Sequence, residues 1–313
     1  VGVNANASTI KEIDLDNPDY FMASENIYDV AKENGYWDSE NEPFQFCYVY
    51  APESRNSFAS RRREWRVFDL LAPSLKLDPR AENYPFSVKP DTLVTMEKLI
   101  DVFKDYYQGT PFDMRKTLTV TDEEGKTIIS PLANPHMPYD ANKLFKINGG
   151  WGWLGERTIA RWYTMYATII QLRDWLPDEI GGVEWLAMDN VASSIYVPIY
   201  AGVTDLPHYY KTPGRVNGYS LESAWWIFNR LGTLAAQRWG DMHKDLDAVW
   251  VPMQKSFIDE LPTIDQQALK LYKEDPEKAK AFLTEYSGKK GIMVMERAIK
   301  LGDFLWTKYD EKF

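Results

Sequence analysis

Hydrophobic and polar positions change their period several times along this chain, and each change marks an element. Residues 1–13 alternate and carry β-branched side chains before breaking at Asp14-Leu15-Asp16-Asn17-Pro18-Asp19, which predicts a strand and then an Asx- and proline-rich turn. A helix should follow, with Ser24 capping its first turn, Ile27, Val30 and Ala31 on its inner stripe, and Gly35 ending it in the left-handed region. Phe44 to Tyr50 alternates aromatic with smaller side chains and reads as a strand. Arg61-Arg62-Arg63-Glu64-Trp65-Arg66 precedes apolar Val67, Leu70 and Leu71, so a short helix is expected there. Thr95 opens another, in which Met96, Leu99, Ile100, Phe103 and Tyr107 fall at helical spacing before Gly109 stops it.

Lys116 to Ser130 predicts two short strands joined at Asp122-Glu123-Glu124-Gly125. From Thr158 the β-branched and aromatic content favours strand over helix as far as Gln171. The Pro177-Asp178 and Gly181-Gly182 breaks then introduce strands at Val183 to Met188 and Ser194 to Tyr200. The pattern turns helical from Ser220, where Ala224, Trp225, Phe228, Leu231 and Leu234 make one stripe. Asp275 with Pro276 begins a further helix, and Ile292 to Leu305 forms the last. No internal repeat or low-complexity linker is present. One α+β domain with a helical C-terminal extension is the economical reading.

Composition removes several functions. Acidic residues outnumber basic ones, 46 to 36, for a net charge of -10, so a phosphate-binding surface is not expected and nucleic acid is a poor partner. The longest apolar runs, Ile147 to Leu154 and Ile195 to Val203, are broken by glycine or polar residues and fall short of the roughly 20 residues of a membrane helix. A single cysteine makes no internal disulfide and leaves the compartment open. The chain opens on Val1-Gly2-Val3-Asn4-Ala5-Asn6-Ala7, without initiator methionine, basic segment or apolar signal core, and reads as starting inside a domain.

Chemistry-bearing residues are sparse. His136, His208 and His243 are far apart in sequence and in no metal-ligand spacing, so neither a metal nor a cofactor is expected. Gly149-Gly150-Trp151-Gly152-Trp153 lacks a phosphate loop's lysine and reads as a tight aromatic turn. Cys47 reads as a small core residue rather than a nucleophile. The arginine run is a solvated face or, with Trp65 in its midst, a device for holding a carboxylate.

The order of certain segments adds a resemblance. Ala5-Asn6-Ala7-Ser8-Thr9-Ile10 before the Asp14–Pro18 turn, Glu64-Trp65-Arg66-Val67-Phe68, Ser87-Val88-Lys89-Pro90, and Tyr107-Gln108-Gly109-Thr110-Pro111-Phe112-Asp113-Met114 occur in that order. Glu156-Arg157-Thr158, Gln171 to Pro177, Ile180-Gly181-Gly182-Val183-Glu184-Trp185 and Tyr196 to Val203 follow. Together they span about residues 1–237 and resemble the larger, C-terminal part of dipeptidase A-type cysteine peptidases, members of the N-terminal-nucleophile (Ntn) hydrolases. The resemblance implies a four-layer αββα sandwich, here partial, over residues 1–237, with residues 238–313 as a helical extension packed on it.

It also implies a cysteine exposed as the first residue of a mature chain, with its own α-amine as base. Val1 has no nucleophilic side chain, so the expectation is that the attacking thiol lies upstream and that these residues alone are inactive. By similarity to Ntn relatives such as the choloylglycine hydrolases, Asn6 would aim its amide at the oxyanion and Arg66 would order the pocket or hold a substrate carboxylate. Arg61 and Arg63 rank below them as substrate-binding residues. The partners implied are a dipeptide or short peptide and the missing N-terminal segment of the same gene product; homo-oligomer formation stays open, as does a periplasmic or secreted against a cytoplasmic location. Two other readings are carried: an amidase or acyltransferase on non-peptide amides, and a non-catalytic, secreted glycan- or peptide-binding module, which twelve tryptophans and nineteen tyrosines would suit.

Overall fold

The computed structural model describes residues 1–136 and 156–312. The glycine-tryptophan turn at Gly149 to Trp153 lies outside them. By its internal contacts the chain divides into two compact units, residues 1–94 with 148–157, and residues 95–147 with 158–313. Helices and small antiparallel sheets together make the α+β content expected from the periodicity.

In the first unit, helix α1 (Ile27–Glu33) buries Ile27 and Ala31. Gly35 has φ 69°, and the amides of Gly35 and Tyr36 donate back to Lys32 O at 3.0 Å and Ala31 O at 2.8 Å, closing the helix as a Schellman motif. Its N-cap is Asn26, two residues beyond the expected Ser24. The expected strand at Phe44 to Tyr50 is instead a short helix, α2 (Phe46–Tyr50). Its first amides, which a helix leaves unpaired, find acceptors in the N-terminal segment: Phe46 N donates to Lys11 O at 2.8 Å and Cys47 N to Ile10 O at 3.0 Å. Phe46 and Tyr50, four apart, then lie on one face with ring centroids 5.3 Å apart, a pairing that a strand would not make.

Residues 1–13 form no regular strand. Their ladder is confined to a bridge between Gly2 and Ser87, flanked by reciprocal bonds between Val1 and Val88, and farther along the Ile10 and Lys11 carbonyls accept from α2. Helix α3 (Phe58–Leu71) is longer than the short helix expected and buries Trp65, Phe68 and Leu71 together with Arg62, Glu64 and Arg66.

The second unit starts at helix α4 (Met96–Lys104), where Thr95 Oγ1 accepts from Lys98 N at 3.2 Å as its N-cap. The helix stops before Tyr107 and Gly109. Asp105 Oδ1 captures Tyr107 N and Gln108 Oε1 captures Tyr106 N, both at 2.9 Å, so local side chains outcompete the helical ladder. The predicted hairpin forms as β1 (Thr119–Thr121) and β2 (Thr127–Ile129), with Gly125 at φ 80° and Asp122 Oδ1 accepting from Glu124 N and Lys126 N.

Strand β3 (Tyr166–Leu172) pairs antiparallel with β4 (Gly182–Met188), which pairs antiparallel with β5 (Val197–Tyr200). Between β3 and β4 sits a single turn, α5 (Asp178–Gly181). Here Arg173 is buried, with Nε donating to Gly181 O at 3.2 Å, a second nitrogen to Ile180 O at 2.6 Å, and a third pairing with Asp265. Tyr200 donates to the same carboxylate at 2.8 Å. A Cβ on Gly181 would stand 2.5 Å from Arg173 O, so only glycine closes this corner.

After the short α6 (His208–Lys211), three helices cover the sheet: α7 (Ala224–Gln237), α8 (Trp239–Glu274) and α9 (Pro276–Lys308). The last helix is continuous from Pro276 and takes in the segment expected to be a separate helix at Ile292 to Leu305. Gly291 does not break it. A Cβ there would approach the Tyr210 ring to 2.9 Å, which is why a small residue is needed in mid-helix. Trp185, Trp239, Trp250, Leu231, Phe257 and Leu283 form the heart of the core.

Gln254 on α8 binds both backbone groups of buried Tyr196, Oε1 accepting from its N–H at 2.8 Å and Nε2 donating to its carbonyl at 3.1 Å. Gln254→Leu leaves both groups unpaired in the core, and the unfolding free energy should fall by about 2 to 5 kcal/mol, read as a lower urea midpoint with unchanged slope.

Candidate active site

Helix α3 carries the residues that sequence alone marked out, and its 3.6-residue period decides where each guanidinium goes. Arg61 and Glu64, three apart, share one face; Arg62 and Arg66, four apart, share another. Arg61 donates to Arg55 O at 2.8 Å, closing the loop before the helix. Arg62 binds the Glu156 carboxylate through Nε at 3.2 Å, and also the Pro79 carbonyl. Arg63 reaches Ala5 O at 3.0 Å while bonding its own helix at Ala59 O. Arg66 is buried and pairs with Asp69 at 2.7 Å, not with Glu64.

Arg63 therefore anchors the backbone immediately before Asn6. Asn6 itself is exposed and left-handed, with φ 60°, a conformation that asparagine adopts more readily than most residues. On either side of it, Ala5 and Ala7 line a small cleft with Cys47, Arg61, Glu64 and Tyr84. Its volume of about 40 Å³ accommodates a few waters and no peptide. The structure thus gathers Arg61, Arg63 and the Asn6 backbone around one segment, and directs Arg66 to its own helix partner.

Electrostatics sharpen this picture. Burial pushes the Glu64 carboxyl up to about 7, against the pull of Lys11 and Arg61. The Tyr84 hydroxyl is pushed up to about 12, and burial raises the Cys47 thiol as well, which disfavours its thiolate. Glu64 was not singled out from sequence. The available signal was its place one helical turn after Arg61 on the face that turns inward.

Among the histidines, His243 has both ring nitrogens engaged, Nε2 with Ala192 O at 3.0 Å and Nδ1 with Asp247 at 3.0 Å, and it stacks on Trp239 at 4.4 Å. His136 packs edge-on against the same indole at 5.1 Å, whereas His208 is exposed beside Glu222. Among the described residues no group of three or more His, Cys, Asp or Glu side chains is placed to hold a metal.

A family model described as Peptidase family C69 matches residues 1–251. The chain belongs to peptidase family C69. Its similar relatives include a "Probable dipeptidase" of Latilactobacillus sakei, 25% identical over 240 residues that cover 76% of this chain and 44% of that protein. A "Probable dipeptidase" of Salmonella dublin is 25% identical over 64% of this chain and 40% of its own length. "Dipeptidase A" of Lactobacillus helveticus is 22% identical over 71% and 40%. This C69 chain thus spans less than half the length of these curated relatives.

The C69 match ends within α8, and it contains the whole of α3 and the cleft. Glu64 makes stability pH-dependent. Between the ordinary glutamate range and about 7 the folded chain holds a proton that the unfolded chain has released, so stability declines as pH rises through that window and the cost is complete above it. Glu64→Gln should therefore raise the melting temperature at pH 8, by about 1 to 3 kcal/mol of unfolding free energy, and leave it unchanged at pH 4.

Proposed function

We propose that this chain is one wall of a cysteine dipeptidase that hydrolyses dipeptides or short peptides with a free amino end. The observation that carries the reading is the C69 match over residues 1–251, and the names of the relatives supply the substrate class. The chain covers under half of those relatives, and, following the resemblance, the attacking group is assigned to an upstream segment bearing an N-terminal cysteine. An α-amine titrates near 7.7 to 8.0, so that cysteine's own amine serves as base at neutral pH.

In this scheme the thiol passes its proton to the α-amine as sulfur attacks the scissile carbonyl carbon. The amide of Asn6 stabilises the oxyanion. Collapse of the tetrahedral intermediate breaks the C–N bond, the leaving amine takes the proton, and a thioester remains. Water, deprotonated by the same amine, then releases the acid and regenerates the thiol. Arg66 orders the pocket or meets a substrate carboxylate, Arg61 and Arg63 are assigned to substrate binding, and Arg63 also supports the segment that bears Asn6.

The proposed four-layer sandwich draws support from β3. Among the described residues it pairs on one side only, and Tyr166, Ile170 and Leu172 on its outward face are 62%, 59% and 78% exposed. A second sheet would cover such a face.

The experiment uses the complete mature product of the gene. N-terminal sequencing should read cysteine on a polypeptide that copurifies with this one or continues into it, and dipeptide hydrolysis should disappear on alkylation or on Cys→Ala at that residue. Hydrolysis that survives the loss of the thiol, or an inert protein that binds glycans, refutes the reading. In the active protein, Asn6→Ala should lower kcat by about 10²- to 10³-fold with little change in KM, whereas Arg66→Ala should act mainly on KM.

A further inference from the structure

The second unit contains a cleft of about 200 Å³, several times the space one water occupies. Its floor is polar and deeply buried: Asn134, His136, Asp189 and Asn190 are each 4% exposed or less. The mouth is open, with Trp162 39% exposed and Thr233 at the surface of α7. Helix α7 passes directly over the carboxylate. A Cβ on Gly232 would lie 3.0 Å from Asp189 Oδ2, so the absence of a side chain there leaves that oxygen uncovered by the helix.

Two features of the floor call for a ligand. Nε2 of His136 is buried and has no hydrogen-bond partner among the described residues. An orphaned polar atom of this kind is destabilising until it finds a partner, and burial, aided by His243 and Arg115, holds the ring neutral, pushing it down to about 3. Asp189 is held in the left-handed region at φ 58°, a conformation maintained at some cost outside glycine. It receives the Asn229 amide on Oδ1 at 3.1 Å, and burial pushes it up to about 6, which leaves it ionised at neutral pH.

The Asp189 carboxylate and the neutral His136 ring line one cleft, and with the ring proton on Nδ1 its Nε2 offers a second acceptor to that space. The complementary group is a cation with at least two N–H donors, and the aromatic face at the mouth suits an apolar body or the cation itself. An anionic ligand would meet the Asp189 charge. We propose that this cleft binds a small organic primary amine, its ammonium held between Asp189 and His136 Nε2 and its carbon skeleton against Trp162. The site is independent of the peptidase reading, because no thiol takes part in it.

The test is calorimetric titration at pH 7.5 of the intact chain with n-butylamine, n-butanol and butyrate, which differ only in the head group. Butylamine should bind at least about tenfold more tightly than either isostere, and Asp189→Asn should weaken it about ten- to a hundredfold. Asparagine tolerates the left-handed backbone, so this variant retains the fold. Thr233→Trp closes the mouth from the exposed side without touching the floor and should also abolish binding. Equal binding of amine and alcohol, no binding of any probe, or an amine affinity unmoved by both substitutions overturns the proposal.

Discussion

The buried guanidinium of Arg173 is the constraint around which the second unit is arranged. A charge removed from water must be matched where it lies, and here the matching groups come from the α5 turn through the Ile180 and Gly181 carbonyls and from α8 through Asp265. Tyr200 adds β5 to the same carboxylate, and burial next to Asp265 raises its hydroxyl far beyond the usual tyrosine range. One ion pair thus connects the end of β3, the turn into β4, the terminus of β5 and the C-terminal third of α8. Displacing any of these elements would leave a naked charge in the interior, so the meander and its covering helices have one way to dock.

The first unit uses a different device. It has little sheet, and its backbone groups are satisfied by crossing segments: Lys11 and Ile10 receive the first amides of α2, and the Ala5 carbonyl receives Arg63. Helix α3 is then both a core element, through Trp65 and Phe68, and a bracket for the N-terminal segment. Glu64 shows the cost of that double use. It is enclosed between the bracket and the segment without a close cationic partner sufficient to offset its burial, and its protonation follows.

Local signals in the sequence were reliable where a single residue type has one physical solution. Gly35, the Asp122–Gly125 turn, the Thr95 cap and the alternation of Val183, Trp185 and Ala187 each dictate their structure within a few residues. Phe44 to Tyr50 misled because aromatic alternation over so short a run also fits one helical face, and the deciding acceptors lie more than thirty residues upstream at Ile10 and Lys11. Tyr107 matched the helical stripe of α4 yet lies outside it, since the competition from Asp105 and Gln108 is a matter of side-chain reach rather than of periodicity. At the candidate site, the arginine run was legible as a cluster, but the pairing of Arg63 with Ala5 and of Arg62 with Glu156 was not, because those partners belong to distant stretches of chain, whereas Arg66 pairs with Asp69 on its own helix.

The one-sided pairing of β3 limits what can join it. Strand geometry has a period of two, so a strand that matched the hydrogen bonds of this edge would set alternate side chains on the buried face of Ile169 and on the exposed face of Tyr166 and Ile170; a slip by a single position exchanges the two. A strand paired along that border is thereby held to one parity of sequence.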